Sequence, residues 1–357
     1  MSMSAWTWLV PALSFALLIG GLVTGAGPVV AVVCAAALIG AVIAAVHHAE
    51  VVAHRVGEPF GTLVLAVAVT IIEVALILSI MLAAGLDAAA LPRDTIYAAI
   101  MIICNGVVGL CILVGGLVHH EQSFRVEGSS AGLAALIALS AFSLVLPAFT
   151  TTTSGGTYST AQLAFAAFMS AALWAVYVFT QTVRHRDYFL PPADASSPDA
   201  HAVPPANREA WASFALLVVS LVSVVGLAKV LSPVIEQAVE QAGAPKAVIG
   251  IVIAMLVLLP ETWAAVRAAH ANRLQTSMNL ALGSALASIG LTIPVVAVTA
   301  IALGIPLILG LAPKDLVMLA VTLLLSAVTL GTGRTHMMQG AVHLVVFAAF
   351  LFLALLP

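Results

Sequence analysis

Charged residues are scarce in this chain of 357 residues, of which 8% are Asp, Glu, Lys or Arg and 62% are hydrophobic. A soluble domain carries about 25% charged residues, so the composition excludes a water-soluble globular protein. The net charge is −3, and no basic cluster favours nucleic-acid binding. The three cysteines lie inside apolar runs, without the spacing of a metal site or a disulfide framework. What remains is an integral membrane protein with little soluble structure.

Long apolar runs fill most of the sequence and reach the about 18 to 20 residues that a helix needs to cross a bilayer. The period-two alternation of a membrane β-barrel is absent, so the spans are predicted to be helical. The sequence therefore predicts an all-α integral membrane protein with about eleven transmembrane helices, at 6–24, 28–54, 60–86, 95–118, 130–149, 160–183, 210–233, 245–270, 277–302, 314–332 and 338–356.

A segment rich in Pro, Ala, Ser and Asp separates the sixth and seventh spans, and residues 184–209 are predicted to form a flexible linker. It divides the chain into 28–183 and 210–357, with an extra N-terminal span within 1–27. Eight of the twelve Lys and Arg residues fall on one side of the predicted spans. The sequence thus predicts a multi-pass protein of the cell inner (plasma) membrane with the N-terminus and linker in the cytoplasm.

The two halves resemble each other when Glu73 is aligned with Glu261. Five spans separate these glutamates, and an odd offset places the halves in opposite membrane orientations. This pattern predicts two inverted-topology repeats of five spans, which build a midplane site with two alternative accesses. The alignment also matches residues around the glutamates and in the spans before and after them: Ala66 with Ala254, Val69 with Val257, Glu50 and Gly57 with Glu236 and Gly243, and Cys104-Asn105-Gly106 with Gly283-Ser284-Ala285.

Glu73 and Glu261 each lie within a long uncharged stretch, with no cationic neighbour at helical spacing. A carboxylate at membrane depth costs about 2.5 kcal/mol or more, so it rarely persists without a function. One interpretation is a protonated glutamate hydrogen-bonded to a neighbouring helix. The other is a shared site that coordinates a cation when both acids are ionised and binds protons when the cation leaves. A site that holds either cargo, but never both, meets the physical requirement for exchange.

Calcium prefers 6–8 oxygen ligands, more than two carboxylates supply. Thr70 precedes Glu73 by one turn, and Asn105 and Ser284 follow in the next spans. Backbone carbonyls freed by Pro260 are further candidates, because a proline disturbs a helix. Two glycines, Gly106 and Gly283, are predicted to allow close helix approach or ordinary helix packing.

A second polar cluster lies at the predicted cytoplasmic end of the second span. His47, Glu50 and His54 share one helix face by their spacing of three and four. Histidine titrates near physiological pH, so this face is a candidate proton relay or pH sensor. A metal site and a polar interfacial helix end are the alternatives. In the last span, His343 is interpreted as a packed residue rather than a catalytic one.

Four segments carry a resemblance that covers nearly the whole chain: HHAEVVAHRVGEPFGTLVLAVAVTIIEVALI, PRDTIYAAIMIICNG, PETWAAVRAAHANRLQTSMNLALGSALASIGLTIPV and TGRTHMMQGAVHLVVFAAF. The sequence resembles the cation/calcium exchanger superfamily, in particular the bacterial calcium/proton antiporters of the ChaA type. The resemblance implies Ca²⁺/H⁺ exchange, with Na⁺ or K⁺ exchanged in some members. It also implies that Glu73 and Glu261 are the transport glutamates and that Asn105 and Ser284 are polar ligands.

One departure concerns the Gly-Asn-x-x-Glu motif that the wider family often carries. Thr70 and Leu258 stand where the asparagines would be. Fewer polar ligands then come from these spans, which gives weight to a monovalent Na⁺ (K⁺)/H⁺ antiporter with the same site.

The sequence therefore predicts a secondary active cation/proton antiporter that works by alternating access and is not an enzyme. Its partners are inorganic cations, protons and the lipid bilayer; the ions are cargo, and no cofactor is expected. Three alternatives belong to other classes. They are a passive cation channel with the same acids, an intramembrane hydrolase using Ser284 with His270 or His343, and a membrane scaffold without transport.

Overall fold

The computed structural model describes residues 4–25, 27–57, 60–84, 88–190, 205–241, 243, 245 and 247–356. Most of the predicted linker, residues 191–204, lies outside the described residues. The described chain is predominantly α-helical, with helices α1 (Ala5–Thr24), α2 (Pro28–Val56), α3 (Phe60–Ala84), α4 (Leu91–Met101), α5 (Val108–His119), α6 (Val126–Ser140), α7 (Thr160–Phe179), α8 (Asn207–Gln241), α9 (Ala247–His270), α10 (Leu274–Leu303), α11 (Pro313–Leu330) and α12 (Met337–Leu355).

Three π-helical turns interrupt or extend these helices. The first, Ile102–Val107, joins α4 to α5 as one continuous membrane-length helix. The others, Ala141–Val145 and Thr180–Arg184, follow α6 and α7. A π-helical turn inside an α-helix is rare and often accompanies a functional site, so the first of them is of particular interest.

Within the described residues, nine helical stretches are long and apolar enough to cross a membrane. A further candidate is α9, whose parts Ala247–Leu259 and Glu261–His270 meet at 51°. This bend is the disturbance expected from a proline at position 260, which cannot donate a backbone hydrogen bond. The remaining helix, α3, contains the apolar stretch Ala66–Leu82. The prediction of a helical membrane protein is confirmed, and the number eleven stays a prediction.

Helix α8 is longer than its sequence suggested, because it continues to Gln241 rather than ending at 233. Pro233 lies inside the helix without ending it. With 35 residues, α8 is about 52 Å long, which exceeds the about 30 Å of a hydrocarbon core. Its final turns are therefore expected to project beyond the apolar layer.

The helix formed by α4, the π turn and α5 runs antiparallel to α10. On one face of the molecule, Ile308, just after α10, donates a backbone hydrogen bond to the Ala89 carbonyl, just before α4 (3.0 Å). On the other face, Gln122, just after α5, donates to the carbonyl of Ala269, just before α10 (2.8 Å). Such opposed directions are expected for the corresponding helices of two inverted repeats.

Two strand pairings connect the halves on opposite faces. After α5, strand β1 (Glu121–Ser123) pairs antiparallel with β2 (Arg334–His336), which precedes α12. After α10, Ile308 bridges to Thr157, which precedes α7. In each pairing, the loop after a central helix of one half (α5 or α10) contacts the loop before the last helix of the other half (α12 or α7).

Basic residues are distributed unequally between the two faces. The face where α5 ends carries Arg334 in β2, and there Glu50 lies within electrostatic range of Arg267 at the end of α9. On the opposite face, Arg93 and Lys314 line a shared cavity of about 210 Å³. This separation agrees with the two-sided charge pattern predicted from the sequence.

The helices α1, α2 and α8 pack mainly on one another and on α3, whereas the other helices surround α10 and α5. Along α2, the buried side chains include Ala41, Ala44, Ala45 and Ala49. Small side chains at a helix interface let the neighbouring backbone approach closely. The three helices α1, α2 and α8 are called the outer bundle below.

Candidate cation site

The two predicted glutamates lie on α3 and α9, one from each half of the chain. Helix α3 packs against α10, and α9 packs against α4, α5 and α10. Glu73 is 2% exposed and Glu261 is 4% exposed. Both acids are therefore closed off from either face of the protein in this conformation.

One helix, α10, provides a hydrogen bond to each of the two acids. The hydroxyl of Ser288 donates to Glu73 Oε1 (2.7 Å), and the hydroxyl of Ser284 donates to Glu261 Oε2. These serines are four residues apart, about 6 Å along the axis and on the same helix face. Acids that are 188 positions apart in the chain thus share one polar ridge of α10.

Glu261 has a second oxygen, Oε1, which is buried and has no hydrogen-bond partner among the described residues. A cavity of about 10 Å³ adjoins this glutamate and Ser284, with apolar walls that include Ile103, Val107 and Leu258. Leaving a buried carboxylate oxygen unpaired is costly, so this atom is expected to bind a proton or a cation. The space corresponds to about one water-sized particle.

Thr70 lies one turn before Glu73 on α3 and is buried. Its hydroxyl donates to the carbonyl of Ala66 (2.8 Å) rather than to Glu73. The hydroxyl oxygen keeps its lone pairs for a cation, because donation uses only the hydrogen. The role of Thr70 as a ligand stays a prediction.

Asn105 lies in the π turn, but its side chain bonds away from both acids. Its amide group donates to Thr322 Oγ1 (2.8 Å), and its Oδ1 lies 3.3 Å from Nδ1 of His343. The sequence thus grouped Asn105 with Ser284 as equivalent polar residues, whereas the structure divides them between two clusters. A ligand role for Asn105 stays a prediction that would require its amide to turn.

The predicted close approach of helices occurs at other glycines. A Cβ atom added to Gly283 would meet nothing within 4 Å, and one added to Gly106 would make only an ordinary contact with Phe347. At Gly109, the added atom would lie 2.8 Å from Cβ of His343. The prediction of a close approach is therefore wrong for Gly283, where the space beside the glycine is open, and Gly106 fits the alternative of ordinary helix packing.

The three residues of the predicted histidine face at the end of α2 differ in their contacts and exposure. The ring of His47 lies 4.8 Å from that of Trp6 in α1, Glu50 is half-buried, and His54 is exposed. Among the described residues, no group of three or more His, Cys, Asp or Glu side chains could hold a metal ion. This disfavours the metal alternative for the face, and its proposed role as a proton relay or pH sensor stays a prediction.

Two residues were missed by reasoning from the sequence. Ser288 lies one turn beyond Ser284, and a test of the i, i+4 position would have found it. His48 is fully buried, and its Nε2 lies 2.9 Å from the Thr7 carbonyl. No pattern in the sequence distinguishes it from the neighbouring His47.

The chain is similar to known membrane transport proteins over almost its full length. The family model described as sodium/calcium exchanger protein matches residues 26–183 and 212–356. The chain is 49% identical over 356 residues to the putative ionic transporter y4hA of Sinorhizobium fredii (strain NBRC 101917 / NGR234), covering 99% of this chain and 96% of that protein. It is 37% identical to the sodium-potassium/proton antiporter ChaA of Escherichia coli (strain K12), covering 91% of this chain and 89% of that one.

A solved structure of native YfkE superposes with a TM-score of 0.74 at 20% identity, covering 98% of this chain and 100% of that one. This likeness concerns the fold alone. The family match, in contrast, extends over both halves and includes the segments that bear the two buried acids. The chain therefore belongs to the sodium/calcium exchanger family of membrane proteins.

Proposed function

We propose that this protein is a secondary active cation/proton antiporter whose site is formed by Glu73 and Glu261. The observation that carries the proposal is the joint hydrogen bonding of the two acids by Ser284 and Ser288 of α10. Two acids held next to each other out of water repel when both are ionised. The pair is stable when it binds protons or when a cation lies between the two acids. The protons and the cation cannot be bound at the same time.

The cation that best fits two carboxylates is divalent. One Ca²⁺ balances both negative charges, and carboxylate and hydroxyl oxygens are the hard ligands that Ca²⁺ prefers. The hydroxyls of Ser284 and Ser288 donate to the pair, and Thr70 lies one turn before Glu73. The bend of α9 beside Glu261 supplies a place where carbonyl oxygens can turn inward. We therefore assign Ca²⁺ as the first candidate.

Na⁺ or K⁺ is the second candidate, favoured by a specific observation. The relative at 37% identity is described as a sodium-potassium/proton antiporter. In addition, no amide side chain bonds to either acid in the described structure, and Leu258 occupies the position one turn before Glu261. A site poorer in oxygens suits an ion that demands fewer of them.

Exchange requires the closed acids to open to each face in turn. The antiparallel helices and the doubled strand pairings support two inverted repeats, 28–183 and 210–357, after an extra N-terminal span within 1–27. In such a fold, one group of helices rocks against another around a fixed site. We assign the outer bundle of α1, α2 and α8 as the moving part, because these helices pack mainly on one another and on α3.

The direction of transport follows from the charge on the two faces. The face with the greater number of arginines is assigned to the cytoplasm of a cell inner membrane, which places the start of α1 inside. Protons then reach the acids from outside and release the cation there. After the site reopens inward, the protons leave and the next cation binds.

The test is cation-driven proton release in everted membrane vesicles. A respiratory pH gradient is imposed, a pH-sensitive dye is followed, and Ca²⁺, Na⁺ or K⁺ is added separately. Glu73→Gln and Glu261→Gln are each expected to reduce the response to background, because an amide cannot exchange a proton for a cation. Glu127→Gln, which changes an exposed glutamate of α6, is the matched control and should transport normally.

A response to Na⁺ or K⁺ alone would keep the mechanism and replace the calcium assignment. Transport that survives in either glutamate variant, with normal protein amounts, would contradict the proposed site. Current without any pH gradient would support a passive channel instead.

The pH dependence provides a second expected result. Protons compete with the cation for the same oxygens, so the half-saturating cation concentration should rise as the pH falls. If one Ca²⁺ displaces two protons, the rise is about a hundredfold per pH unit where both acids compete, whereas one displaced proton gives about tenfold. A half-saturating concentration that stays constant between pH 6 and 9 would contradict competition at the acids.

A further inference from the structure

A second buried polar cluster lies beside the acids, centred on His343 of α12. Its Nδ1 lies 3.3 Å from Oδ1 of Asn105, and its Nε2 lies 3.1 Å from the hydroxyl of Thr329. The amide of Asn105 donates to Thr322, which donates in turn to Sδ of Met101 (3.3 Å). His343, Asn105 and Thr322 are all fully buried.

The hydrogen bonds determine which nitrogen of His343 carries the proton. Nδ1 lies 3.3 Å from the side-chain oxygen of Asn105, which can only accept a hydrogen bond. Nδ1 is therefore the donor, and Nε2 accepts from the Thr329 hydroxyl. The ring is thereby held as one neutral tautomer with both nitrogens satisfied.

The backbone explains why a histidine is useful there. In the π turn Ile102–Val107, the amide of Val108 bonds to the carbonyl of Ile103, five residues earlier. A change from α to π spacing alters the pairing of neighbouring carbonyls, and a carbonyl left unpaired within a membrane is costly. The His343 ring hydrogen-bonds to Asn105 within this turn, so the side chain helps to hold the irregular turn in place.

The opposite side of the same turn forms part of the cation site. Ile103 and Val107 line the small cavity next to Glu261 and Ser284. Gly109 brings α5 so close to α12 that an added Cβ would lie 2.8 Å from Cβ of His343. A shift of the turn would consequently move the wall of the cavity that holds the unpaired carboxylate oxygen.

We propose that His343 is a positioning residue for cation binding, which holds the π turn through Asn105 and so fixes the wall beside Glu261. The inference rests on the proposed antiport function. It goes beyond that function by assigning a task to a buried histidine that contacts neither acid in the hydrogen-bond network. His343 was interpreted from the sequence as a packed residue, and its hydrogen bonds make that interpretation incomplete.

The experiment compares two amide replacements in the everted-vesicle assay. The amide nitrogen of His343→Asn can occupy the position of Nδ1, whereas that of His343→Gln reaches the position of Nε2. We expect His343→Gln to raise the half-saturating cation concentration about tenfold, the effect of one lost hydrogen bond in a buried site. His343→Asn should restore it to within about threefold of the wild type.

A double-mutant cycle with Asn105→Ala separates positioning from general destabilisation. If His343 acts through Asn105, the effects of His343→Gln and Asn105→Ala on half-saturation should be clearly less than additive. Protein amounts and gel-filtration profiles are recorded for each variant.

Two results from His343→Gln would overturn the proposal. One is a half-saturating cation concentration in His343→Gln that equals that of the wild type. The other is a fall in the maximal transport rate alone, in proportion to the amount of folded protein. Full additivity in the cycle would also exclude action through Asn105. A wild-type protein without any cation-driven proton release would contradict the antiport function itself, so the two failures are distinguishable.

Discussion

Helix α10 and the helix formed by α4, the π turn and α5 occupy corresponding places in the two halves, yet they do different work. Helix α10 is uninterrupted from Leu274 to Leu303 and donates to both buried acids. Its counterpart is broken by a π turn, and the polar side chain there bonds to His343 instead. Similar architecture in the two halves therefore does not imply equal chemistry. The second half supplies the hydroxyl donors, and the first half supplies an apolar wall.

Among changes to these two helices, the largest effect should come from removing the donors of α10. We expect the double variant Ser284→Ala with Ser288→Ala to raise the half-saturating cation concentration about a hundredfold, and each single variant about tenfold, because a hydrogen bond to a charged group contributes about 1.5–3 kcal/mol. The measurement is the cation dependence of dye dequenching at one pH.

Thr299→Ala is the control on the same helix. Its hydroxyl donates to the Val295 carbonyl, its side chain is half-buried, and it lies far along α10 from both acids. If the double variant binds the cation as tightly as the control does, α10 is not the helix that organises the site.

The unequal roles of the two helices also show where sequence reasoning succeeded. The sequence singled out Glu73 and Glu261 because a charge inside an apolar stretch is a strong local signal, and the structure shows both buried. It also singled out Ser284 in the span after Glu261, and the structure shows its hydrogen bond to that acid. The hydrogen bonds of Asn105 could not be foreseen, because they depend on where α12 packs. A π turn has no sequence signature in this chain, and the predicted match of Asn105 with Ser284 therefore suggested more symmetry than the side chains have.

An intermediate effect is expected where α5 meets α12. Gly109→Ala should lower the free energy of unfolding by about 1–3 kcal/mol, because its new methyl group would overlap Cβ of His343 and the backbone must shift. Gly283→Ala at the open surface of α10 should change it by less than about 1 kcal/mol, because Ala favours a helix over Gly.

The measurement is thermal unfolding in detergent with identical lipid and salt for both variants. Equal melting temperatures would show that α5 at Gly109 and α10 at Gly283 tolerate an added methyl group equally well. The two halves would then not differ in how tightly these helices pack. A larger loss in Gly283→Ala than in Gly109→Ala would contradict the geometry directly.

The smallest effect concerns the position one turn before each acid, which is Thr70 in the first half and Leu258 in the second. Thr70→Val removes a hydroxyl while keeping the shape of the side chain. Its hydrogen bond to the Ala66 carbonyl lies within α3 itself, so the helix should tolerate the loss. If the hydroxyl oxygen is one ligand among several, we expect the half-saturating cation concentration to rise no more than about threefold, less than 1 kcal/mol.

The measurement that decides the role of Thr70 compares the half-saturating concentrations of Ca²⁺ and Na⁺ in this variant. Ca²⁺ requires more oxygens than Na⁺ does, so the loss of one ligand should weaken Ca²⁺ more. An equal loss for both ions would assign Thr70 to packing, and the oxygens that select the cation would then be those of α10 and the bend of α9.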